Sequence, residues 1–472
     1  MAAGRSSPAL RWGAWIAVAF VALAVRGFAA TGLPDSPDGV RLIRSLDTYD
    51  IFDFSPHFPG YPVAVLLARL MPLDGGLAWS VCGALAGTVA ALLAGWGVGH
   101  GTTRGLFVAA VLAFTPAFVI ESVRVGTDVL FLPWLVGAIV WRESRAFTAG
   151  LLLGIALGVR PSAIAWGALL LVGPRPGRAL VGAAAGVLLW LLPTFMVVGV
   201  EPYLHEGWRF TQGHFFDWGG AVSAQSGDYD GTRWGQIFAG WIGHPLTFGV
   251  TGLGVGVAAV TGLGCVALWR RAPAGSRGPA TPAVVGGMAY LIWLIVAQNP
   301  DHSRHALPLW FVAVTFAAAG AWEWLRAPRS SERGMGVEFT LAATTLLVGL
   351  VGVSGWIAFE YRESTPPALV SARRLSEDPR FDPRTDRVYV GSDLAYFRWV
   401  GPDWDLHPVR SIGEARDDRL SLPTLPRRSW ITAHGAGAPL SAPLIEAARW
   451  RGLAEWGSRS EIGLLEIGIE DE

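Results

Sequence analysis

Between residues 12 and 358 the chain alternates long apolar runs with short polar turns. A membrane-spanning helix needs about 20 mostly apolar residues. Runs read on that ruler fall near 12–30, 77–98, 105–120, 127–141, 147–160, 162–174, 179–200, 245–269, 281–298, 306–324 and 337–358. The pattern therefore predicts a polytopic α-helical membrane protein with about 11 transmembrane helices. The third to sixth runs are the shortest. The first is too long, and too poorly followed by a small-residue cleavage site, to be a removed signal peptide. No internal repeat is evident.

Arginines in the short turns orient the spans. Arg5 and Arg11 precede the first span. Arg104, Arg142 with Arg145, Arg175 with Arg178, Arg270, Arg271 and Arg277, and Arg326, Arg329 and Arg333 fall in turns on the same side. That side is the cytoplasm by the positive-inside rule, which puts the N-terminus inside. An odd number of spans then puts the C-terminus outside. Residues 1–358 form the transmembrane domain, with long outer loops at 31–76 and 201–244. Residues 359–472 are expected as a small extracytoplasmic α/β domain, because RVYVGSDLAYF (387–397) and IGLLEIGIE (462–470) alternate like strands.

Composition agrees with a membrane protein. Of the 472 residues, 52% are hydrophobic and 16% charged, and mean hydropathy is +0.40. Net charge is zero, and all 37 basic residues are arginine. A neutral chain offers no electrostatic footprint for nucleic acid. Cys82 and Cys265 lie in apolar stretches without disulfide or metal-ligand spacing, and read as small buried hydrophobes.

Candidate chemistry gathers on the outer side. The first outer loop carries Asp35 and Asp38 at the end of the first span, then Asp47, Asp50 and Asp53, then His57 in HFPGYP. The later three aspartates read as a solvated polar loop. Asp35 and Asp38 stand at the membrane boundary, where partial desolvation makes a carboxylate a better base. The next outer turn holds Glu121, Arg124 and Asp128. Asp128 leads into an apolar helix as an N-cap would. Arg160 interrupts an apolar hairpin, either snorkelling to the interface or binding substrate. QNPDHSRHALP (298–308) places Asp301, His302, Arg304 and His305 between two spans. Forked guanidinium groups suit a phosphate, and a nearby carboxylate can take a proton from an attacking hydroxyl or amine. Together they point to group transfer from a lipid-linked phosphate.

The ordered set Asp35-Ser36-Pro37-Asp38, His57-Phe58-Pro59-Gly60-Tyr61-Pro62, Thr127-Asp128, GLLLGIALGVRPS (150–162) and His302-Ser303-Arg304-His305 resembles the GT-C superfamily of membrane glycosyltransferases. The likeness is to the protein O-mannosyltransferase and aminoarabinose-transferase branch, and it covers most of the span region. It implies a GT-C-like helical domain followed by a small periplasmic domain. It also implies a catalytic aspartate at Asp35 or Asp38, a second acidic position at Asp128, and donor-phosphate binding by Arg304. Gly39 stands where an aromatic residue is usual, which leaves the choice between Asp35 and Asp38 open. The family is mixed in its use of a divalent metal, for which His57 and His302 are the candidate ligands.

The expected activity is an inverting glycosyltransferase of the plasma (inner) membrane. It moves a hexose or pentose from a polyprenyl-phosphate donor to a glycan, lipid or protein acceptor at the outer face. Asp35 or Asp38 is the base. Arg304 and Arg160, with Arg124, hold the leaving phosphate, and Asp128, His57 and His302 complete the substrate site. The aromatic loop 208–241 (Trp208, Phe210, Phe215, Phe216, Trp218, Trp234) is expected either to cover the site or to form an interfacial belt. Two rival classes share the topology, a lipid-linked-sugar transporter or flippase and a polysaccharide polymerase or ligase. A third rival is a non-catalytic scaffold.

Overall fold

The computed structural model describes residues 8–217, 219–224, 233–243, 280–300, 302–326, 335–390, 394–409, 415, 418, 429–434, 444–453 and 459–467. It is a helical bundle followed by a sheet. In order the bundle comprises α1 (Pro8–Ala29), α2 (Pro37–Asp47), α3 (Pro62–Arg69), α4 (Gly75–Gly99), α5 (Thr103–Ala113), α6 (Pro116–Val123), α7 (Leu132–Trp141) and α8 (Ala146–Val159). A 3-10 helix (Pro161–Leu170) follows, then α9 (Pro176–Val198), α10 (Val200–Gln212), α11 (Arg233–Ile237), α12 (Ala280–Ala297), α13 (Leu307–Arg326) and α14 (Met335–Glu363).

Among the described residues five helices are long and apolar enough to cross a membrane: Ala9–Ala29, Gly75–Gly99, Pro176–Val198, Ser303–Glu323 and Ala343–Glu377. The pair α5 and α6, bent by 61°, makes a sixth if it is one broken span. The segments expected as full spans near 127–141, 147–160, 162–174 and 281–298 are shorter apolar helices. The expected span at 245–269, with Cys265, lies outside the described residues. Hydropathy alone does not register such breaks, because the apolar runs continue through them.

The breaks are sealed chemically. Pro116 ends the hydrogen-bonding of α5, and the freed carbonyls need donors inside an apolar bundle. Arg26 Nη1 donates to Ala113 O at 2.8 Å and Ser354 Oγ to Phe114 O at 2.6 Å. Arg142, fully buried, does the same at the end of the 3-10 helix. It donates to the carbonyls of Leu169, Leu170 and Pro174 at 3.2, 2.6 and 2.7 Å. A cation there also suits the negative end of a helix.

The first outer loop is not a plain loop. Its polar positions conceal two short helices, α2 and α3. α2 has one apolar face (Leu42, Ile43) in the core of the bundle. Val40, 1% exposed, belongs to the core of the C-terminal unit instead. That unit adds α15 (Pro367–Glu377), β1 (Arg387–Val390), α16 (Leu394–Val400), β2 (Asp405–Pro408), β3 (Ser429–His434), β4 (Leu444–Leu453) and β5 (Arg459–Ile467). The sheet order is β2-β1-β3-β5-β4. β1 runs parallel to β2 and β3, whereas β5 is antiparallel to β3 and β4. The segment 387–397, read as one strand, turns helical from Leu394. The buried core holds Leu369, Ala372, Leu375, Val388, Val390, Tyr396, Phe397 and Trp430 with Val40.

Helices α8 and α9 pack through small residues at four-residue spacing, Gly150 and Gly154 against Ala179, Gly182, Ala183 and Gly186. A Cβ on Gly154 would meet the Ala183 carbonyl and the Gly186 backbone. Gly154→Val is therefore expected to lower stability by about 1–3 kcal/mol, the range for overpacked contacts. Thermal unfolding in detergent would register the loss, and an unchanged midpoint would refute the close packing.

Candidate active site

The site begins with a helix cap. Ser36 is the N-cap of α2, and its side chain accepts the Gly39 N–H at 3.1 Å. Pro37 occupies the first helical position, where a missing N–H costs nothing. Asp38 follows in the first turn, where the helix dipole favours a carboxylate. This Ser-Pro-Asp start sends Asp35 and Asp38 in different directions.

Asp35 goes inward. Its Oδ2 pairs with Arg124 and accepts the Tyr361 hydroxyl at 3.1 Å. Arg124 also binds Glu121 at 2.8 Å. The Asp35, Arg124 and Glu121 side chains are 9%, 5% and 2% exposed, and none of the three lines the cavity described next. The chain thus joins the first outer segment, α6 and α14 by a buried ionic network.

Asp38 goes outward, into a cavity of about 340 Å³. Asp38, His57, Asp128, Arg160, His302 and Arg304 all line it. Asp38 Oδ2 lies 3.4 Å from Arg304 Nη2, and its Oδ1 lies 3.2 Å from Arg41 Nη1 and 3.8 Å from His57 Nδ1. On the far side Asp128 Oδ1 pairs with Arg160 Nη2 at 2.8 Å, and Arg304 Nε stands 4.0 Å from Asp128 Oδ2. Asp128 is therefore not a helix cap: α7 is capped at Phe131. Nor does Arg160 reach outward. It donates to Thr127 Oγ1 at 3.1 Å and Ser162 Oγ at 3.2 Å as well as to Asp128.

Burial would raise the Asp38 carboxyl, but His57, Arg304, Arg41 and His302 outweigh it and hold the group down at about 2. Asp38 is thus ionised throughout the neutral range. Burial pushes His57 below the ordinary histidine value; Asp38 opposes this, while Arg41, Arg304 and Arg160 add to it. A carboxylate and several cationic side chains face one space.

The cavity is covered from α10. Phe210 and Phe215 line it, whereas Trp208, Phe216 and Trp234 are 67%, 52% and 67% exposed. The aromatic segment therefore divides between cover and surface. Trp218 and Asp301 lie outside the described residues. Sequence reasoning missed Arg41, Tyr61, Thr127 and Ser162, and it missed Tyr361 as the partner of Asp35. The Ser-Pro-Asp-Gly capping signature held the clue to which aspartate starts α2. Among the described residues no three His, Cys, Asp or Glu side chains converge on a point fit for a metal ion.

No family model matches the sequence, and no curated protein matches it. Solved structures do match. The chain aligns with ArnT from Cupriavidus metallidurans bound to undecaprenyl phosphate at a TM-score of 0.56 and 14% identity, over 96% of this chain and 99% of that one. With ArnT in the apo state the TM-score is 0.53 at 13% identity, over 98% and 100% of the two chains. The protein is a polytopic α-helical membrane protein whose fold is similar to that of ArnT. The particular architecture it shares over nearly its full length is that of ArnT.

The two aspartates should respond differently to removal of charge. Asp35→Asn removes the charge that Arg124 and Tyr361 meet at Asp35 while Arg124 keeps Glu121, a loss of about 1–3 kcal/mol. Asp38→Asn, on a half-exposed side chain, should fold normally. Thermal unfolding of the two variants in detergent separates them, and equal midpoints would refute the assignment.

Proposed function

We propose that this protein is an inverting glycosyltransferase that moves a sugar from a polyprenyl-phosphate donor to an acceptor at the outer face of the plasma membrane. The observation that carries the reading is the ionised Asp38 facing Arg304 and Arg160 across one cavity, in a chain of ArnT fold. The solved ArnT structure bound to undecaprenyl phosphate favours a lipid-linked phosphate as the donor class.

In this reading Asp38 rather than Asp35 is the base. It takes the proton of the acceptor hydroxyl or amine as that atom attacks the anomeric carbon from the face opposite the phosphate. Arg304 and Arg160 receive the charge that grows on the departing phosphate, which leaves without being protonated. Asp128 holds both arginines in place. A single carboxylate suffices, unlike the paired acids of a glycosidase. Holding both reactants on one helical frame contributes much of the rate. Asp35 and Arg124 become bracing groups for the start of α2 rather than base and phosphate ligand. The HFPGYP segment, packed by Phe58 against Tyr203 and Phe210, borders the groove for the prenyl chain. The donor is a hexosyl or pentosyl phosphate lipid, and the acceptor a glycan, lipid or protein. The N-terminus is cytoplasmic, and residues 359–472 form an α/β domain outside.

Membranes containing the protein, given a panel of undecaprenyl-phosphate sugars and lipid extract from the source cells, test the reading by release of undecaprenyl phosphate. Release should fall about 100-fold or more in Asp38→Asn, the scale of general-base catalysis. Arg304→Gln should both slow turnover and weaken retention of undecaprenyl phosphate. Full turnover by a normally inserted Asp38→Asn would refute the base. No turnover of any donor by the parent would refute the enzyme class and return the transporter and scaffold readings to the front.

A further inference from the structure

A carboxylate that accepts a proton in every cycle must also lose it. Asp38 stands among cations that favour its charged form; its side chain is 38% exposed, and Phe210 and Thr211 of α10 line the cavity beside it. The side chain best placed to take that proton onward is His57. Its Nδ1 is 3.8 Å from Asp38 Oδ1, and its Nε2 is 2.6 Å from the Tyr61 hydroxyl. The Phe210 ring stacks on the imidazole at 5.4 Å with only 10° between the planes. Tyr61 itself sits in the left-handed region, at φ 44°, a conformation costly for an aromatic residue. That backbone places the phenol against His57, and both side chains line the cavity.

We propose that His57 relays the acceptor proton: it takes it from Asp38 at Nδ1, while Tyr61 holds the imidazole through Nε2. This rests on the glycosyl-transfer reading and deepens it. The relay uses the tautomer in which Nε2 carries the hydrogen and donates it to the Tyr61 oxygen, which leaves the Nδ1 lone pair to accept from protonated Asp38. The 3.8 Å gap is one small side-chain movement beyond a hydrogen bond, and catalytic contacts commonly tighten when substrate is bound.

The step balances. The acceptor oxygen or nitrogen forms its bond to the anomeric carbon as the carbon–oxygen bond to phosphate breaks, with that electron pair leaving on the phosphate. The acceptor proton passes to Asp38, then to His57, and to water once the polyprenyl phosphate departs. Charge explains the direction of flow. Before transfer the donor phosphate is a diester with one negative charge, and burial first, then Arg41, Arg304 and Arg160, favour a neutral His57 able to accept a proton. Transfer leaves a phosphate monoester with a second ionisable oxygen. Its added negative charge favours an imidazolium at His57, and the face of Phe210 suits a cationic ring. The charged groups facing His57 are thus Asp38 and Arg41 from α2, Arg160 from the end of α8, and Arg304 from the turn before α13, with Tyr61 at the start of α3.

The test uses the full-length protein in membranes, with undecaprenyl-phosphate sugars as donors and undecaprenyl phosphate release as the readout. His57→Gln should lower kcat about 10- to 100-fold with KM for the donor changed less than about 3-fold. The parent should lose activity on the acid side, below the ordinary histidine range, and His57→Gln should lack that limb. Added imidazole should restore His57→Ala but not Asp38→Asn. Tyr61→Phe, which keeps the ring and so the packing, should give a smaller loss in kcat; it serves if the His57 variants fail to insert. Parental kcat in His57→Gln, or in Tyr61→Phe where that variant stands in, overturns the relay. So does a loss in His57→Ala that imidazole leaves unchanged. Either result with an active, Asp38-dependent parent overturns the relay alone. A parent that releases undecaprenyl phosphate from no donor overturns the transferase reading and the relay with it.

Discussion

The buried ion pair between Asp35 and Arg124 is the joint on which the site turns. Taking two charges out of water costs several kcal/mol per ion unless partners are close, and here Glu121 adds a second carboxylate to Arg124 and the Tyr361 hydroxyl donates to Asp35 Oδ2. The pair fixes the residue just before the cap of α2 to α6 below it and to α14 behind it. With that end pinned, Ser36 caps the helix and Asp38 has one direction left, toward Arg304. A carboxylate in the same sequence motif as its neighbour thereby acquires a different environment and a different role.

Broken helices are the second element of the design. A continuous span would carry its polar groups past the cavity at fixed helical pitch. The break at Pro116 and the short helices after it instead let Thr127, Asp128 and Arg160 reach one space. Backbone left unpaired in an apolar interior is costly, so each break needs its own donors. Arg26, Ser354 and Arg142 supply them. These buried arginines hold up the frame, whereas Arg160 and Arg304 face the cavity.

Much of this was legible in the residues. The helical membrane class followed from the apolar runs, and the likeness to an aminoarabinose-transferase-type fold from an ordered set of weak motifs. Of the residues singled out from the sequence, Asp38, His57, Asp128, Arg160, His302 and Arg304 line one cavity, whereas Asp35 and Arg124 do not. What failed to show was three-dimensional in origin. Hydropathy reads through Thr115-Pro116 without registering a 61° bend. The run through Tyr396 and Phe397 fits a strand or a helix by apolar content, and tertiary packing chose the helix. Arg124 and Asp35 carry the same charges as the cavity residues and differ only in the burial of their partners, which no local pattern encodes. The pairing of Asp35 with Tyr361 spans 326 residues.

Val40 lies two residues from Asp38, about 200° around the helix, so α2 turns one face to the cavity and the other to the C-terminal core. Two hydrophobic cores thus share a single helix of 11 residues. Neither core can loosen without disturbing the other's contribution to that helix. Val40 therefore ties the placement of α2, and with it Asp38, to the packing of the C-terminal core.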